Sequence, residues 1–128
     1  MTESLTLAPN NTQLHAELGR ALIAAGNPQS AIPALVRAQS TEPNDWRILS
    51  ALGVANDQLG RHEAARNAYQ RALELSPENV SIYNNLALSW ALSRQLEHAV
   101  KILESAAKKP NSTVQLRQNL ALLHGIHG

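Results

Sequence analysis

Five histidines and no cysteine limit the chemistry that this chain can perform. Without cysteine, disulfides, thiolate nucleophiles and cysteine-ligated zinc are all excluded. His124 and His127 are three residues apart, a spacing that places both side chains on one face of a helix. A metal site normally has three or four protein ligands and no third ligand accompanies this pair, so we predict no bound metal and no cofactor. His62 and His98 lie near predicted helix starts and are interpreted as surface residues.

The other patterns that carry catalysis or nucleic-acid binding give no support to those functions. The sequence has no glycine-rich phosphate loop and no zinc-protease helix signature, and it groups no nucleophile, histidine and carboxylate. With a net charge of +1 and a pI near 8.2, no strong field favours nucleic acid or an anionic membrane. No apolar run approaches the roughly 20 residues of a membrane helix. We therefore predict a protein that is not an enzyme, does not bind nucleic acid and has no transmembrane segment in this chain.

Any functional side chain must be positioned by an internal repeat of 34 residues that runs through the sequence. The clearest marker is a leucine followed by a small residue. It occurs at Leu18-Gly19, Leu52-Gly53, Leu86-Ala87 and Leu120-Ala121. A fixed period between about 20 and 50 residues indicates an array of one supersecondary unit. Within each unit, two runs of apolar residues at helical spacing are separated by a short break, which predicts a helical hairpin.

The breaks carry specific helix-ending and helix-starting residues. Gly26 is predicted to end one helix, Asn27 to cap the next, and Pro28 to occupy its first position. Pro33 lies near the start of that second helix, where the loss of one backbone hydrogen bond predicts a bend rather than a break. In the third unit, Arg94 stands where the other units have their turn glycine.

This pattern resembles the tetratricopeptide repeat (TPR) family, whose hairpin carries leucine and then glycine or alanine in its first helix, alanines in its second, and a closing proline. Residues 71–79, Arg-Ala-Leu-Glu-Leu-Ser-Pro-Glu-Asn, are similar to the end of that family's second helix. The resemblance implies an all-α fold, a right-handed superhelix of antiparallel helix hairpins with about three repeats and a C-terminal helix. The predicted organisation is the tail of a preceding repeat or an N-terminal extension (1–11), three repeats (12–45, 46–79 and 80–113), and the first helix of a further repeat or a capping helix (114–128).

Both ends of the sequence fall inside a repeat. Residues 4–11 align with 72–79, the end of a second helix, so residues 2–8 are predicted to be a short helical tail. We therefore expect a piece of a longer array, with a natural solvating last helix as the alternative. In either case Leu123 and Ile126 are expected to leave apolar surface open, and this favours self-association through the terminal helix.

The repeated small residues are predicted to lie where helices approach most closely, so that a larger side chain would push the helices apart. They are Gly19, Gly53, Ala87 and Ala121. Columns of leucine and isoleucine around them are predicted to form a continuous core, since one hairpin buries only one face by itself. Trp46 and Trp90 are interpreted as packing between repeats, with a ligand surface as the alternative.

The TPR resemblance also implies where a ligand binds, because one face of each first helix lines a concave groove in that family. The predicted groove residues are Gln13, Arg20, Arg47, Ser50, Val54, Ser81, Asn84, Asn85, Leu88, Gln115, Gln118 and Asn119. Amides and hydroxyls suit a peptide backbone, and the aliphatic end suits an extended segment or an amphipathic helix. We predict a protein-interaction scaffold that binds a peptide or helix. For any single polar residue, the alternative is an ordinary solvated side chain.

One familiar TPR ligand is not predicted. In TPR proteins that hold the C-terminal carboxylates of heat-shock chaperones, lysine and asparagine occupy set positions in the groove. Ala16, Arg20 and Ser81 stand at such positions in this chain. An acidic C-terminal tail is therefore not the expected ligand.

A narrower resemblance concerns the second half of the chain. The tracts 83–89 (Tyr-Asn-Asn-Leu-Ala-Leu-Ser), 94–100 and 116–122 (Leu-Arg-Gln-Asn-Leu-Ala-Leu) are similar to the TadD-type TPR lipoprotein of tight-adherence (Flp) pilus systems. This resemblance implies a periplasmic, outer-membrane-associated assembly factor with pilus secretin components as partners. The alternative is a general cytoplasmic TPR adaptor or co-chaperone. A signal sequence and a lipidated cysteine upstream of this chain would favour the pilus function.

Overall fold

The computed structural model describes residues 11–127, which form seven α-helices and no strand. In chain order they are α1 (Thr12–Ala24), α2 (Pro28–Thr41), α3 (Trp46–Gln58), α4 (His62–Leu75), α5 (Val80–Leu92), α6 (Leu96–Ala107) and α7 (Val114–His127). The odd-numbered helices begin at residues 12, 46, 80 and 114, in step with the sequence repeat. The helical tail predicted over residues 2–8 lies outside the described residues.

The last residue of each 34-residue unit caps the helix that follows it. Asn11, Asp45, Asn79 and Thr113 each accept a hydrogen bond from a backbone N–H in the first turn of the next odd-numbered helix, at 2.9–3.4 Å. Such a cap satisfies a donor that the helix leaves unpaired and contributes about 1 kcal/mol. The repeat therefore fixes the start of each first helix through a side chain as well as through apolar spacing.

The turns inside the hairpins use a residue in the left-handed region. Gly26 and Gly60 have φ angles of 78° and 79°, which glycine adopts without steric cost. After Gly26, Asn27 caps α2 and Pro28 begins it, which confirms the predicted order. Arg94 takes the same conformation, with φ of 63°, although it carries a side chain. The third hairpin thus keeps the turn geometry of the other two.

Helix α2 continues through its internal proline. Pro33 lies within a helix that runs unbroken from Pro28 to Thr41. A proline removes one backbone hydrogen bond and crowds the preceding turn, and here it does so close to the helix start. The prediction that Pro33 would not break the helix is confirmed.

The hydrophobic core is divided among three junctions, where the odd-numbered helices α3, α5 and α7 each pack on the hairpin before them. We call these the first, second and third junctions. The equivalent residues Ile48, Ile82 and Leu116 are at most 1% exposed, and each lies in a different junction. Leu52 and Leu86 likewise occupy equivalent places in the first and second junctions. Stacking therefore closes a core that a single hairpin leaves open, as predicted.

Small residues allow the two helices of a hairpin to approach closely. A Cβ on Gly19 would lie 2.5 Å from Leu35 Cγ, and a Cβ on Gly53 would lie 2.4 Å from Tyr69 Cε1. Ala87, the equivalent residue of the third hairpin, is fully buried. The predicted role of these three small residues is confirmed, because the neighbouring side chain occupies the space that a larger residue would need.

Helix α7 departs from two predictions. Ala121 is exposed, because among residues 11–127 no helix packs on that face of α7. Leu123, which was expected to leave apolar surface open, is 6% exposed and belongs to the third junction. Among the described residues, the large apolar side chains that α7 exposes are instead Val114 and Leu122, at 62% and 64%. The side chain of Ile126 lies outside the description.

The odd-numbered helices form the inner row of the stack. Helix α1 packs on α3 and α3 packs on α5, whereas the even-numbered helices approach one another less closely. The stack is therefore curved, with the odd-numbered helices on the concave side. We call the solvent-facing surface of α1, α3, α5 and α7 the groove.

Candidate ligand groove

The predicted groove residues occupy three environments. The exposed residues are Gln13, Arg20, Arg47, Ser81, Leu88 and Gln118. The half-buried residues are Val54, Asn84, Asn85 and Asn119. Ser50 is buried, at 7% exposure, and the side chain of Gln115 is not described. Position within the repeat therefore does not by itself determine which of these side chains a ligand can reach.

Four of the polar residues bond to one another across the junctions. Asn85 donates a hydrogen bond to Ser50 at 3.3 Å, and Asn119 donates one to the side-chain oxygen of Asn84 at 2.7 Å. Each bond joins two residues that are 35 apart in the sequence, and the two bonds occupy equivalent places in the second and third junctions. We call this pair of bonds the amide ladder. At the first junction the equivalent residues are two buried alanines. The ladder links α3 to α5 and α5 to α7, and it leaves fewer donor and acceptor groups of these amides for a peptide backbone.

A cavity of about 300 Å³ opens into the groove between α1 and α3. Its wall is mostly apolar and includes Ile23, Trp46 and Val54. Arg20 and Arg47 also line it. This volume lies at the lower end of the range for ligand pockets, so the cavity suits one bulky side chain better than a large molecule.

A larger cavity of about 610 Å³ adjoins the first, and the two share Arg20 and Arg47. Its wall is mostly polar and carries the carboxylates of Glu17, Glu42 and Asp45. Arg47 Nε lies 3.3 Å from Asp45. Within residues 11–127, no carboxylate lies within ion-pair distance of Arg20. Arg20 is therefore the cation best placed to receive an acidic group of a ligand.

Asp45 joins the polar cavity to the start of α3. Burial by itself would raise the pKa of the Asp45 carboxyl. Hydrogen bonds from the side chain and backbone of Arg47, together with the charges of Arg47 and Arg20, outweigh burial and hold this pKa below its ordinary value of 3.8. The carboxylate is thus ionised at neutral pH, where it caps α3 and pairs with Arg47.

The far end of the groove is aliphatic. Leu88 and Leu122 stand at the same position of consecutive repeats and are 42% and 64% exposed. Leu92 lies one turn beyond Leu88 on α5 and is 59% exposed. The same position holds Arg20 in the first repeat and Val54 in the second. The groove therefore changes from charged to aliphatic between α1 and α7.

The second junction contains a buried polar cluster that sequence analysis did not identify. The Asp57 side chain is 8% exposed, and its carboxylate accepts hydrogen bonds from Ser89 at 2.8 Å and Tyr69 at 3.4 Å. His62 Nδ1 lies 2.8 Å from the same carboxylate. His62 is consequently half-buried, and its interpretation as a surface residue is wrong because the ring turns toward Asp57. The available sequence signal was three polar residues in the second repeat where the other repeats are apolar at the same positions.

This cluster does not have the arrangement of a catalytic triad. In a triad, histidine lies between the carboxylate and the nucleophile. Here Asp57 is central, and His62 and Ser89 contact the same carboxylate oxygen. Ser89 is fully buried, so a substrate has no access to its hydroxyl. Burial and the neighbouring charge of Asp57 raise the pKa of Tyr69, so the phenol keeps its proton and remains a donor.

Trp90 lies beside the polar cluster. The guanidinium of Arg66 is 4.0 Å from its ring centroid, and the ring of His98 stacks on it at 4.5 Å. Trp90 also packs against the cores of the second and third junctions, which confirms that it packs between repeats. Trp46 packs against the second junction, as the packing interpretation predicts, and it also lines the apolar cavity. His98 is exposed, as expected, although its ring is engaged.

The described part of the chain groups no three His, Cys, Asp or Glu side chains around a possible metal position. His124 lies 3.6 Å from Glu104, and the side chain of His127 is not described. None of the described helices combines the length and apolar character needed to cross a bilayer.

The sequence pattern that defines the tetratricopeptide repeat family matches residues 16–79 and 57–113 of this chain. The chain belongs to the tetratricopeptide repeat family. TPR proteins act as scaffolds for protein–protein interactions. The groove described above is therefore the candidate interaction surface of this TPR protein.

Relatives of known sequence share the repeats over part of their length. The uncharacterized protein y4yS of Sinorhizobium fredii is 35% identical over 97 residues, which cover 76% of this chain and 53% of y4yS. Human tetratricopeptide repeat protein 33 is 32% identical over 82% of this chain and 40% of its own length. This TPR chain thus spans about half, or less, of each of these relatives.

Solved TPR structures superpose on the whole stack. The crystal structure of MamA has a TM-score of 0.84 with 24% identity, over 99% of this chain and 74% of MamA. The first TPR domain of Spaghetti (RPAP3), solved with the HSP90 peptide SRMEEVD, has a TM-score of 0.80 with 16% identity, over 91% of this chain and 94% of that domain. These likenesses confirm the predicted fold class, an all-α TPR superhelix.

Proposed function

We propose that the groove binds a segment of a partner polypeptide and that the apolar cavity between α1 and α3 receives an anchoring side chain. The observation that carries this proposal is the cavity itself, in which Ile23 and Val54 face solvent beside Arg20. Buried anchor residues in pockets of this kind dominate the energy of many protein interfaces. A TPR domain of similar fold, that of RPAP3, has been solved with a peptide bound.

The length of the groove favours a polypeptide over a small molecule. The polar and apolar cavities both lie between α1 and α3, and the exposed leucines follow on α5 and α7. Each surface alone is small, and a chain molecule gains affinity by contacting several of them at once. A single small ligand would fill one cavity and leave the leucines exposed to water.

Partner capture from the source organism tests this proposal. The wild type is compared with Val54→Trp, which fills the apolar cavity, and with Arg20→Glu, which reverses the charge beside it. Val36→Trp is the matched control, because Val36 is 49% exposed on α2, outside the groove. We expect quantitative mass spectrometry to find a partner with the wild type and the control that both groove variants lose. Equal recovery by all four proteins would remove the cavity as the main contact.

We further infer that the partner belongs to a Flp-type pilus or secretion system, with pilus secretin components as candidates, and that the protein is a periplasmic, outer-membrane-associated lipoprotein. The support is the TadD-type resemblance of residues 83–122. The second candidate is a cytoplasmic adaptor or co-chaperone, the alternative that membership of the TPR family leaves open. Cell fractionation of the natural gene product separates the two, because recovery in the cytoplasm would refute the pilus function.

A further inference from the structure

We propose that the partner segment is an amphipathic α-helix whose apolar face lies on Leu88, Leu92 and Leu122 and whose anchor enters the apolar cavity. The inference rests on the proposed function and specifies the conformation of the partner. Three observations carry it: the engaged amides of the groove, the spacing of the aliphatic residues and the distribution of charge.

The amide ladder favours a partner whose backbone needs no help from the groove. An extended peptide presents unpaired N–H and C=O groups that must be satisfied when it is bound. The groove amides best placed for this, Asn84 and Asn119, bond to each other at 2.7 Å, and Asn85 bonds to Ser50 at 3.3 Å. An α-helix satisfies its own backbone groups, so it can cover this surface without breaking the ladder.

The aliphatic residues match the dimensions of a helix laid across the stack. Val54, Leu88 and Leu122 recur once per repeat, on successive odd-numbered helices. Packed helices lie roughly 8–10 Å apart. Residues seven apart on a partner helix lie on one face and about 10.5 Å apart along its axis. One helix with aliphatic residues at seven-residue intervals can therefore meet all three positions in order.

Charge defines the two ends of this partner. None of the predicted groove residues on α5 and α7 is charged, so the part of the helix that covers Leu88 and Leu122 should present no charge there. Arg20 holds the same position in the first repeat and, within residues 11–127, has no carboxylate at ion-pair distance. A partner acid one further seven-residue interval beyond the residue that meets Val54 would complement it. The expected partner face is three aliphatic residues and one acidic residue, each seven apart.

Selection from two displayed peptide libraries tests the proposal on the full chain. Both libraries randomise the same number of positions, one on an alanine- and glutamate-rich helical scaffold and the other on a scaffold interrupted by proline. We expect enrichment from the helical library alone, with aliphatic residues at seven-residue intervals and an acidic residue at one end. The enriched peptide, made synthetically, should gain helical circular dichroism when it binds.

Fluorescence anisotropy with that synthetic peptide then locates its contacts. Leu88→Gln and Leu122→Gln should each weaken binding at least about tenfold, since each removes an apolar contact at the interface centre. Leu75→Gln is a matched control, because Leu75 and Leu88 are 41% and 42% exposed and Leu75 lies on α4, outside the groove. That control should change affinity less than about twofold, because it lies outside the contact. All three side chains are exposed, so unchanged thermal midpoints are expected.

The outcomes that would contradict the proposal distinguish the helical partner from the proposed peptide-binding function on which it rests. Enrichment from the proline library alone, with binding lost in Val54→Trp, would overturn the helical partner and uphold a peptide-binding groove. No enrichment from either library would overturn both. Analytical ultracentrifugation of the chain alone covers the self-association predicted from the sequence. A dimer that Leu122→Gln abolishes would show that a second copy, and not another protein, covers the leucines.

Discussion

The first and second junctions use different chemistry on the same backbone frame. At one repeat position the first hairpin has Ile23 and the second has Asp57, and at another it has Leu35 where the second has Tyr69. Leu35 lies over Gly19 and Tyr69 lies over Gly53, in each case a glycine of the facing helix. The first junction is closed by apolar contact, whereas the second surrounds a buried carboxylate with three donors. The helix arrangement, which the small residues and the helix caps fix, therefore accommodates either an apolar or a polar junction.

The difference also decides where a ligand can enter. Ile23 is half-buried and forms part of the wall of the apolar cavity. Asp57, at the equivalent position, is held in the stack by His62, Tyr69 and Ser89. The apolar junction leaves an opening for an anchoring side chain, and the polar junction fixes two neighbouring repeats together. The pocket proposed for the anchoring side chain and the buried carboxylate thus belong to different junctions.

Removal of the central carboxylate should have the largest effect. Asp57→Ala leaves the Tyr69 and Ser89 hydroxyls without their acceptor in a buried site, so we expect a loss of about 3 kcal/mol in the free energy of unfolding. Ile23→Ala, the matched change at the first junction, should cost about 1 kcal/mol because it removes only part of a half-buried side chain. Urea denaturation of both variants measures the difference, and equal losses would contradict the assigned roles.

A transplant of first-repeat residues sharpens the same comparison. The combination Asp57→Ile, Tyr69→Leu and Ser89→Ala removes the acceptor and both buried hydroxyls together, and it installs apolar residues like those of the first repeat. Replacing a whole buried polar group by well-packed apolar residues is often neutral. We expect the triple variant to be more stable than Asp57→Ala alone. A triple variant less stable than the single one would show that the second junction depends on its polar cluster.

The two glycines under the facing side chains should respond unequally to alanine. A Cβ at Gly53 would meet the ring of Tyr69, which is flat and tied to Asp57 by its hydroxyl, whereas a Cβ at Gly19 would meet Leu35. We expect Gly53→Ala to cost about 2 kcal/mol from overpacking and Gly19→Ala to cost less, because a leucine can change rotamer. Thermal denaturation of the pair measures both. The prediction fails if Gly19→Ala is the more destabilising variant.

Periodic features of the sequence predicted the fold, because repeated leucines, alanines and glycines report directly on helix packing. The role of Gly53 and the equivalence of Leu52 and Leu86 followed from spacing alone. The polar cluster did not follow, since the partners of Asp57 come both from α4 of its own repeat and from α5 of the next one. The bond from Ser89 exists only after the hairpins have stacked.

The sequence predicted which helix faces line the groove, but not which of their side chains are free to bind a ligand. Spacing placed Ser50 and Asn85 on the inner row, yet it carried no sign that they bond to each other across 35 residues. The burial of Leu123 was also missed, because it depends on how far α7 rotates against α6. One residue of helical rotation is finer than a periodic pattern resolves.

The turns extend the comparison to the third hairpin. Arg94 holds a left-handed φ of 63° where Gly26 and Gly60 hold 78° and 79°. A residue with a Cβ costs roughly 1 kcal/mol in this region, so Arg94→Gly should stabilise the protein by about that amount. Gly60→Ala is the reciprocal control and should destabilise it similarly, and a Cβ there would meet no neighbouring atom within 4 Å. Opposite shifts of the thermal midpoint are expected, and shifts of the same sign would contradict the conformational cause.

The smallest effect is expected at Asp45, the carboxylate at the surface of the first junction, in contrast to Asp57 inside the second junction. Asp45→Asn keeps a side-chain cap of similar strength and removes the pairing with Arg47, so we expect a loss below about 0.5 kcal/mol at neutral pH. The folded-state pKa of Asp45 lies below 3.8, so the ionic contribution is present above 3.8 and is lost as the pH falls through the lowered pKa.

Urea denaturation between pH 7 and that acid range should show the wild type and the variant converging. Salt should narrow the gap at neutral pH because it screens an exposed pair. A difference that persisted in acid would mean that the asparagine changes the cap and not the charge. The surface carboxylate would then resemble Asp57 in acting through its hydrogen bonds.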